Sequence, residues 1–232
     1  MRLSTVLTLV GAVLVLFGCW MPWREAVPTF QQPVYHGGEH TNKVALTVNV
    51  DWGEEFVLRM LEILQKENVR VTFFVTGRWA AQFPELVRQM ADAGHEIGNH
   101  GYGHPHPDQL SVSLNQRDIQ RAERVIQEIT GRRTELYAPP YGERGPAVLT
   151  AAENAGYRTI LWSVDTLDWK LRDADAITAR VVNRAHPGAI VLMHPLAATA
   201  EALPTIIKEL KRDGYDLITV SQLLAAGKDD AP

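Results

Sequence analysis

Two histidines four residues apart, His100 and His104, bracket the stretch His100-Gly101-Tyr102-Gly103-His104. On one helical turn or in a tight loop both imidazoles can face a common point, which suits Zn²⁺ or a similar divalent ion. A loop merely rich in histidine has the same composition, since Pro105, His106 and Pro107 follow, and His106 reads as a bystander. Asp51 raises the weight of the pair. It ends the apolar run of residues 44–50, and in a parallel α/β fold the strand ends collect at one mouth. Asp51, His100 and His104 are therefore the expected metal ligands. Three protein ligands leave an open position, as catalytic metal sites do and structural ones do not.

His194 emerges from a second apolar run, residues 189–193, and is followed by Pro195. A histidine at the ligand-binding end of a buried strand is a candidate general acid, although a satisfied core histidine has the same setting. Asp165 and Asp168, with Trp169, follow the run 159–164, and a carboxylate there can orient the imidazole of His194. Helix capping or a solvated loop is the alternative reading for each. In Ala138-Pro139-Pro140-Tyr141-Gly142 two prolines stiffen a turn, so the Tyr141 N–H can be held toward a developing oxyanion; on these residues alone a rigid loop is the simpler reading.

The elements that must carry these groups alternate. Short β-rich runs at residues 44–50, 69–75, 95–98, 136–138, 159–164, 189–193 and 217–220 make about seven strands, close to the number of a small barrel. Helical patterns lie between them at 54–67, 84–93, 113–130, 146–155, 173–185 and 200–213. The third is expected to start at a capping box formed by Ser113 and Gln116 and to stop at Gly131. The expected fold class is α/β, a distorted (β/α) barrel with about seven strands, with a doubly wound open sheet as the alternative.

The 232 residues, 46% of them hydrophobic, suffice for one well-buried domain, assigned to residues 43–227 with a frayed tail at 228–232. The net charge of -4 is spread without a basic stripe, which speaks against nucleic acid as a partner. Residues 1–22 are almost uninterrupted apolar sequence behind Arg2, expected to form a signal peptide or membrane anchor helix, and 23–42 read as a linker. The only cysteine, Cys19, lies in Leu16-Phe17-Gly18-Cys19, which resembles a lipoprotein processing site; it also excludes an internal disulfide framework. The signal peptide, lipoprotein and uncleaved anchor readings all place the domain outside the cytoplasm and allow membrane attachment through this segment.

Taken in chain order, Thr47-Val48-Asn49-Val50-Asp51, His100 to His104, Ala138 to Gly142, Asp165 to Trp169 and Leu192-Met193-His194 resemble the five motifs of the polysaccharide deacetylase family, carbohydrate esterase family 4. The resemblance covers residues 43–224. It implies a distorted barrel and a metal-dependent hydrolase that removes N-acetyl groups from glycans such as peptidoglycan or chitin-like oligomers. The metal is expected to be zinc, with cobalt, nickel or manganese as alternatives. By this match Asp51, His100 and His104 bind the metal, His194 is the acid, Tyr141 the oxyanion donor, and Asp165 or Asp168 supports the acid.

Two positions depart from the family pattern. The first motif usually carries two adjacent Asp residues, a base and then a ligand, where an ungapped match has Asn49 and Val50, so Asp51 serves as the ligand only with the strand end shifted by one residue. The third usually carries an Arg supporting that base, where this chain has Ala138. Asn49 cannot take a proton near neutral pH. An alternative alignment makes Asp51 the base and leaves Glu54 as the nearest substitute ligand. The expectation is a divergent deacetylase, set against a catalytically silent glycan-binding protein in which Trp52, Trp79 and Trp169 serve as sugar platforms. A third reading is a metal-dependent hydrolase of another small amide or ester.

Overall fold

A computed structural model describes residues 32–229. The signal or anchor segment 1–22 with Cys19, and residues 23–31 of the linker, lie outside the described residues. Among the described residues no helix is long and apolar enough to cross a membrane.

Eight strands form one sheet: β1 (Lys43–Val50), β2 (Thr72–Val75), β3 (Glu96–Asn99), β4 (Leu136–Tyr137), β5 (Arg158–Thr159), β6 (Val164–Asp165), β7 (Ile190–Met193) and β8 (Asp216–Ile218). The order is β5-β4-β3-β2-β1-β7-β6, and β8 pairs with β1 at its start, Lys43 opposite Asp216. Every pairing is parallel, so the carboxyl ends of the strands share one rim. The expected distorted (β/α) barrel is what forms. Its two end strands, β5 and β6, are not paired with each other.

β1 is the hub, and its pleat decides which side chains reach the site. Val44, Leu46, Val48 and Val50 belong to the apolar layer between sheet and helices, whereas Ala45 belongs to the inner cluster with Phe74, Leu136, Ile160 and Ile190. With a two-residue period, Thr47, Asn49 and Asp51 follow Ala45 onto the inner face. Val50 is wholly buried on the other side.

Nine α-helices pack around the sheet among the described residues: α1 (Glu54–Lys66), α2 (Gly77–Gln82), α3 (Pro84–Asp92), α4 (Val112–Thr130), α5 (Pro146–Asn154), α6 (Asp168–Leu171), α7 (Ala174–Val182), α8 (Ala197–Arg212) and α9 (Val220–Asp229). α4 buries Asn115, Ile119, Ala122 and Ile126, the spacing of one helical face. It begins earlier than the Ser113 box implies, because Ser111 is the cap and its side chain accepts the Leu114 N–H. Gly131 ends it as expected, in the left-handed region.

Two further expectations are corrected. The run 159–164 is not one strand: β5 pairs with β4 and β6 with β7, so the residues between them must cross from one end of the sheet to the other. The linker reading also fails at its end. Val34 bridges Ile160 and His36 bridges Ala189, so this short segment is strapped across the gap between β5 and β7. Isolated bridges of this kind leave no alternating pattern to read.

Candidate active site

His100 follows directly on β3, and the loop it opens is shaped by a buried and a half-buried polar group. Asn99 accepts the Gly101 N–H through Oδ1 and donates to the Ile119 carbonyl, tying strand end, loop and α4 together. Asp118 of α4 accepts the Tyr102 N–H at 2.8 Å and the Gly103 N–H at 3.2 Å. Sequence reasoning missed Asp118, which lies on a helix face with nothing in its neighbours to mark it.

His100 Nδ1 donates to the Ala138 carbonyl at 2.6 Å. A carbonyl can only accept, so the proton sits on Nδ1 and the Nε2 lone pair is free, the arrangement in which a histidine ligates a metal. Burial, then the neighbouring His104, pushes His100 down to about 3, so the ring is neutral. The His104 ring lies 5.0 Å from that of His100, centre to centre. Burial also lowers His104, against the opposing pull of Asp51. His104 has a φ of 53°, and Tyr141 (59°) and Leu167 (52°) share that left-handed backbone at the same rim. Non-glycine residues rarely adopt it, and such strain concentrates at functional sites.

Asp51 reaches the rim but is engaged there by α2 and its cap. Oδ1 accepts from Thr76 Oγ1 at 2.7 Å and from Arg78 Nε at 2.8 Å, and Oδ2 accepts from Arg78 Nη2. Burial raises this carboxyl, yet the hydrogen bonds from Arg78 and Thr76 outweigh it and hold it below the usual carboxylate range. Among the described residues, no three His, Cys, Asp or Glu side chains gather in a metal-holding group. The donors at the mouth are two imidazoles with a third candidate turned toward a guanidinium. Neither motif nor spacing singled out Arg78 and Thr76; their position just after β2 was the available signal.

Asp168 is fully buried and fully bonded. His194 Nδ1 donates to its Oδ1 at 2.8 Å, the His194 N–H to Oδ2 at 2.7 Å, and Thr199 Oγ1 to Oδ2 at 2.8 Å. The Trp169 N–H adds a bond to Oδ1 at 2.9 Å. Burial raises the carboxyl, but the bonds to His194 outweigh it and keep it ionised. With Nδ1 thus occupied, His194 presents Nε2 for proton transfer. Asp165 instead shapes the turn into α6, its Oδ1 accepting the Leu167 N–H at 2.8 Å. Of the two acids considered from sequence, Asp168 is the one paired with His194.

Gly53 makes this juxtaposition possible. Its φ is 84°, and a Cβ there would lie 2.3 Å from the Pro195 carbonyl oxygen, so the loops after β1 and β7 touch only because the residue is glycine. Trp52 consequently lies over His194, ring planes 12° apart and centres 6.1 Å apart. Trp52 and Trp169 are about half exposed and line a cleft of ≈ 400 Å³ with Phe56 and Leu196. Trp79 is buried against Phe83 and belongs to the core, so it is no sugar platform.

Tyr141 is exposed, stacked on His106 at 4.0 Å and edge-on to His104 at 4.7 Å. His106 in turn bonds Glu143 at 2.7 Å. The residue read as a bystander therefore buttresses the tyrosine. Asn49 is buried on the inner face, and Glu54 is the first residue of α1.

The sequence profile described as polysaccharide deacetylase matches residues 36–160. The chain is 37% identical over 193 residues to YlxY of Bacillus subtilis, which covers 83% of this chain but spans only 60% of that protein. It is 32% identical over 219 residues to a peptidoglycan-N-acetylglucosamine deacetylase of Bacillus cereus, covering 91% of this chain and 78% of that enzyme. Among solved structures, a carbohydrate esterase family 4 pseudoenzyme from Bacillus anthracis superposes with a TM-score of 0.81 at 41% identity, over 83% of this chain and 69% of that one. A mutant of this pseudoenzyme, described as having restored enzymatic activity, matches with the same TM-score of 0.81, at 39% identity over 83% of this chain and 71% of that one.

Proposed function

Since this chain belongs to the polysaccharide deacetylase family, we propose that it is a metal-dependent hydrolase removing N-acetyl groups from a cell-wall glycan, with a divergent general-base position. The observation that carries this reading is the Asp168–His194 pair, bonded at 2.8 Å. A binding protein has no use for an imidazole that is oriented, buttressed by a buried carboxylate and left open at Nε2.

In amide hydrolysis the leaving amine must take up a proton as the tetrahedral intermediate collapses. His194 is placed to supply it, with Asp168 stabilising the imidazolium form. The Tyr141 N–H is the candidate donor to the oxyanion. A divalent ion, zinc or else cobalt, nickel or manganese, would supply Lewis-acid activation of the acetyl carbonyl, with His100, His104 and Asp51 as its holders. Water must be deprotonated without Asn49, and Asp51 and Glu54 are the carboxylates next after it in the chain. Such a substrate places the domain outside the cytoplasm, in keeping with residues 1–22 read as a signal or anchor.

A second reading is a catalytically silent glycan binder. It is favoured by Asn49 in the base position and by the engagement of both Asp51 oxygens with Arg78. Acetate released from N-acetylated oligosaccharides in the presence of Zn²⁺ or Co²⁺ separates the two. Release that disappears in both His100→Ala and His194→Ala is expected. Metal-dependent sugar binding without acetate from any acetylated glycan would sink the enzyme reading.

A further inference from the structure

The cleft beside His194, walled by Trp52, Phe56, Trp169 and Leu196, is also lined by Arg172. The other ionisable side chain in the lining is Asp168, whose two oxygens are already taken by His194, Trp169 and Thr199. Arg172 is exposed and, among the described residues, forms no ion pair. Asp173, next to it in the chain, is engaged instead as the cap of α7, accepting the Ala176 N–H at 2.7 Å. The backbone holds Arg172 there under strain. α6 is a single turn with a left-handed residue at each end, Leu167 and Arg172, both with a φ of 52°. Glycine or asparagine fits such backbone more easily, and an exposed side chain with no protein partner does not account for an arginine at that position. The turn that presents Asp168 to His194 thus presents a free guanidinium to the cleft.

We propose that this cleft is a subsite for a glycan carrying a carboxylate, with a sugar face against Trp52 and Trp169 and the carboxylate paired to Arg172. The proposal rests on the glycan reading of the site and involves no metal. Apolar walls with one oriented polar group are the usual make-up of a small-molecule site: the walls give affinity and the polar group gives specificity. Indole faces accept the C–H face of many sugars alike, so the discrimination falls to the charge. A guanidinium meets a carboxylate in a planar two-point fork that a neutral hydroxyl or amide cannot reproduce. A neutral glycan leaves Arg172 in water and gains only the aromatic contact.

The test is calorimetric titration of the whole chain with three probes. The first is a disaccharide of N-acetylglucosamine and N-acetylmuramic acid, which carries a lactyl carboxylate; the second is the same sugar with that carboxylate converted to a simple amide. The third carries a short peptide on the lactyl group, so that its carboxylates lie on the peptide. The parent is expected to bind the acid about tenfold more tightly than the amide, the scale of a hydrogen bond to a charged group. Arg172→Gln should bring the two to one affinity, and Arg172→Lys, which keeps the charge and loses the fork, should restore part of the preference. Thermal unfolding of Arg172→Gln near that of the parent excludes a folding defect. An Arg172-dependent gain with the peptide-free acid assigns the carboxylate to the sugar, and one confined to the third probe assigns it to the peptide. Equal affinity for all three probes, or equal KM where acetate is released, overturns the role of Arg172 and leaves the glycan reading standing. A preference for the acid that persists in Arg172→Gln overturns it as well. Failure of every probe to bind, with no acetate released from any, overturns the glycan reading and this proposal with it.

Discussion

Asp168 holds His194 at two points, the ring Nδ1 at 2.8 Å and the backbone N–H at 2.7 Å, so the carboxylate fixes both the tautomer of the imidazole and the start of the loop that carries it. The first contact settles where the proton sits, and the second keeps the ring from drifting off the rim.

Replacing Asp168 by Asn keeps the volume and removes the charge. The amide oxygen can still accept two of the four bonds, but its NH₂ group faces donors where the other oxygen stood. We expect the rate of acetate release to fall on the order of 10²-fold or more with little change in KM, the pattern of a lost proton-transfer step. Steady-state kinetics on an N-acetylated oligosaccharide measures it, and a rate within twofold of the parent would refute the pairing as functional.

Asn49→Asp combined with Ala138→Arg restores a carboxylate on the inner face of β1 and a cation to support it. A gain in acetate release over the parent is expected, on the order of 10-fold or more if a general base is what the site lacks. An unchanged rate would show that Asn49 does not occupy the base position.

Gly53→Ala forces a side chain into left-handed backbone and against the Pro195 carbonyl. The strain alone is about 1–2 kcal/mol, and the clash adds to it, so Tm should drop by roughly 5 °C. Activity should fall further than stability, because the same contact brings Trp52 over His194. Calorimetry and kinetics on one preparation separate the two effects.

His95 lies under the sheet, away from the rim, where its Nδ1 accepts the Val71 N–H and its ring meets Phe73 edge-on. Burial, with Arg70 nearby, lowers it from 6.5 to about 4. The folded state therefore binds fewer protons than the unfolded one between these values, and stability must decline as the pH falls from 6.5 to 4. The full loss from this group is about 3 kcal/mol. Urea unfolding across this range should show a shallower decline in His95→Asn, whose amide oxygen can still accept the Val71 N–H.

Much of the site was legible because strand ends are easy to find. Asp51 and His194 each follow an apolar run directly, His100 follows the short strand β3 and Asp168 lies three residues past β6, and parallel pairing brings such positions to one rim whatever their separation in the chain. What could not be read were the partners. Arg78, Asp118 and Thr199 lie on helices or their caps, and the direction of a side chain there depends on helix rotation, which spacing alone does not fix. The choice between Asp165 and Asp168 had the same origin, since three residues of left-handed turn and short helix decide which carboxylate faces His194. The division of the run 159–164 was hidden for another reason: nothing in Ile160-Leu161-Trp162 announces that the two halves pair with opposite ends of the sheet.

The strap at Val34 has a mechanical meaning. Its N–H donates to the Thr159 carbonyl at 2.9 Å and its carbonyl accepts the Leu161 N–H at 2.7 Å, while Gly37 donates to Gly188 at 2.7 Å. Tension applied to the domain from its N-terminal side would load these few bonds first, peeling them one by one, before any force reached the long ladder of β1. Few bonds in series hold the strap, whereas the strand that carries Asn49 and Asp51 is paired along its length with β2 and β7.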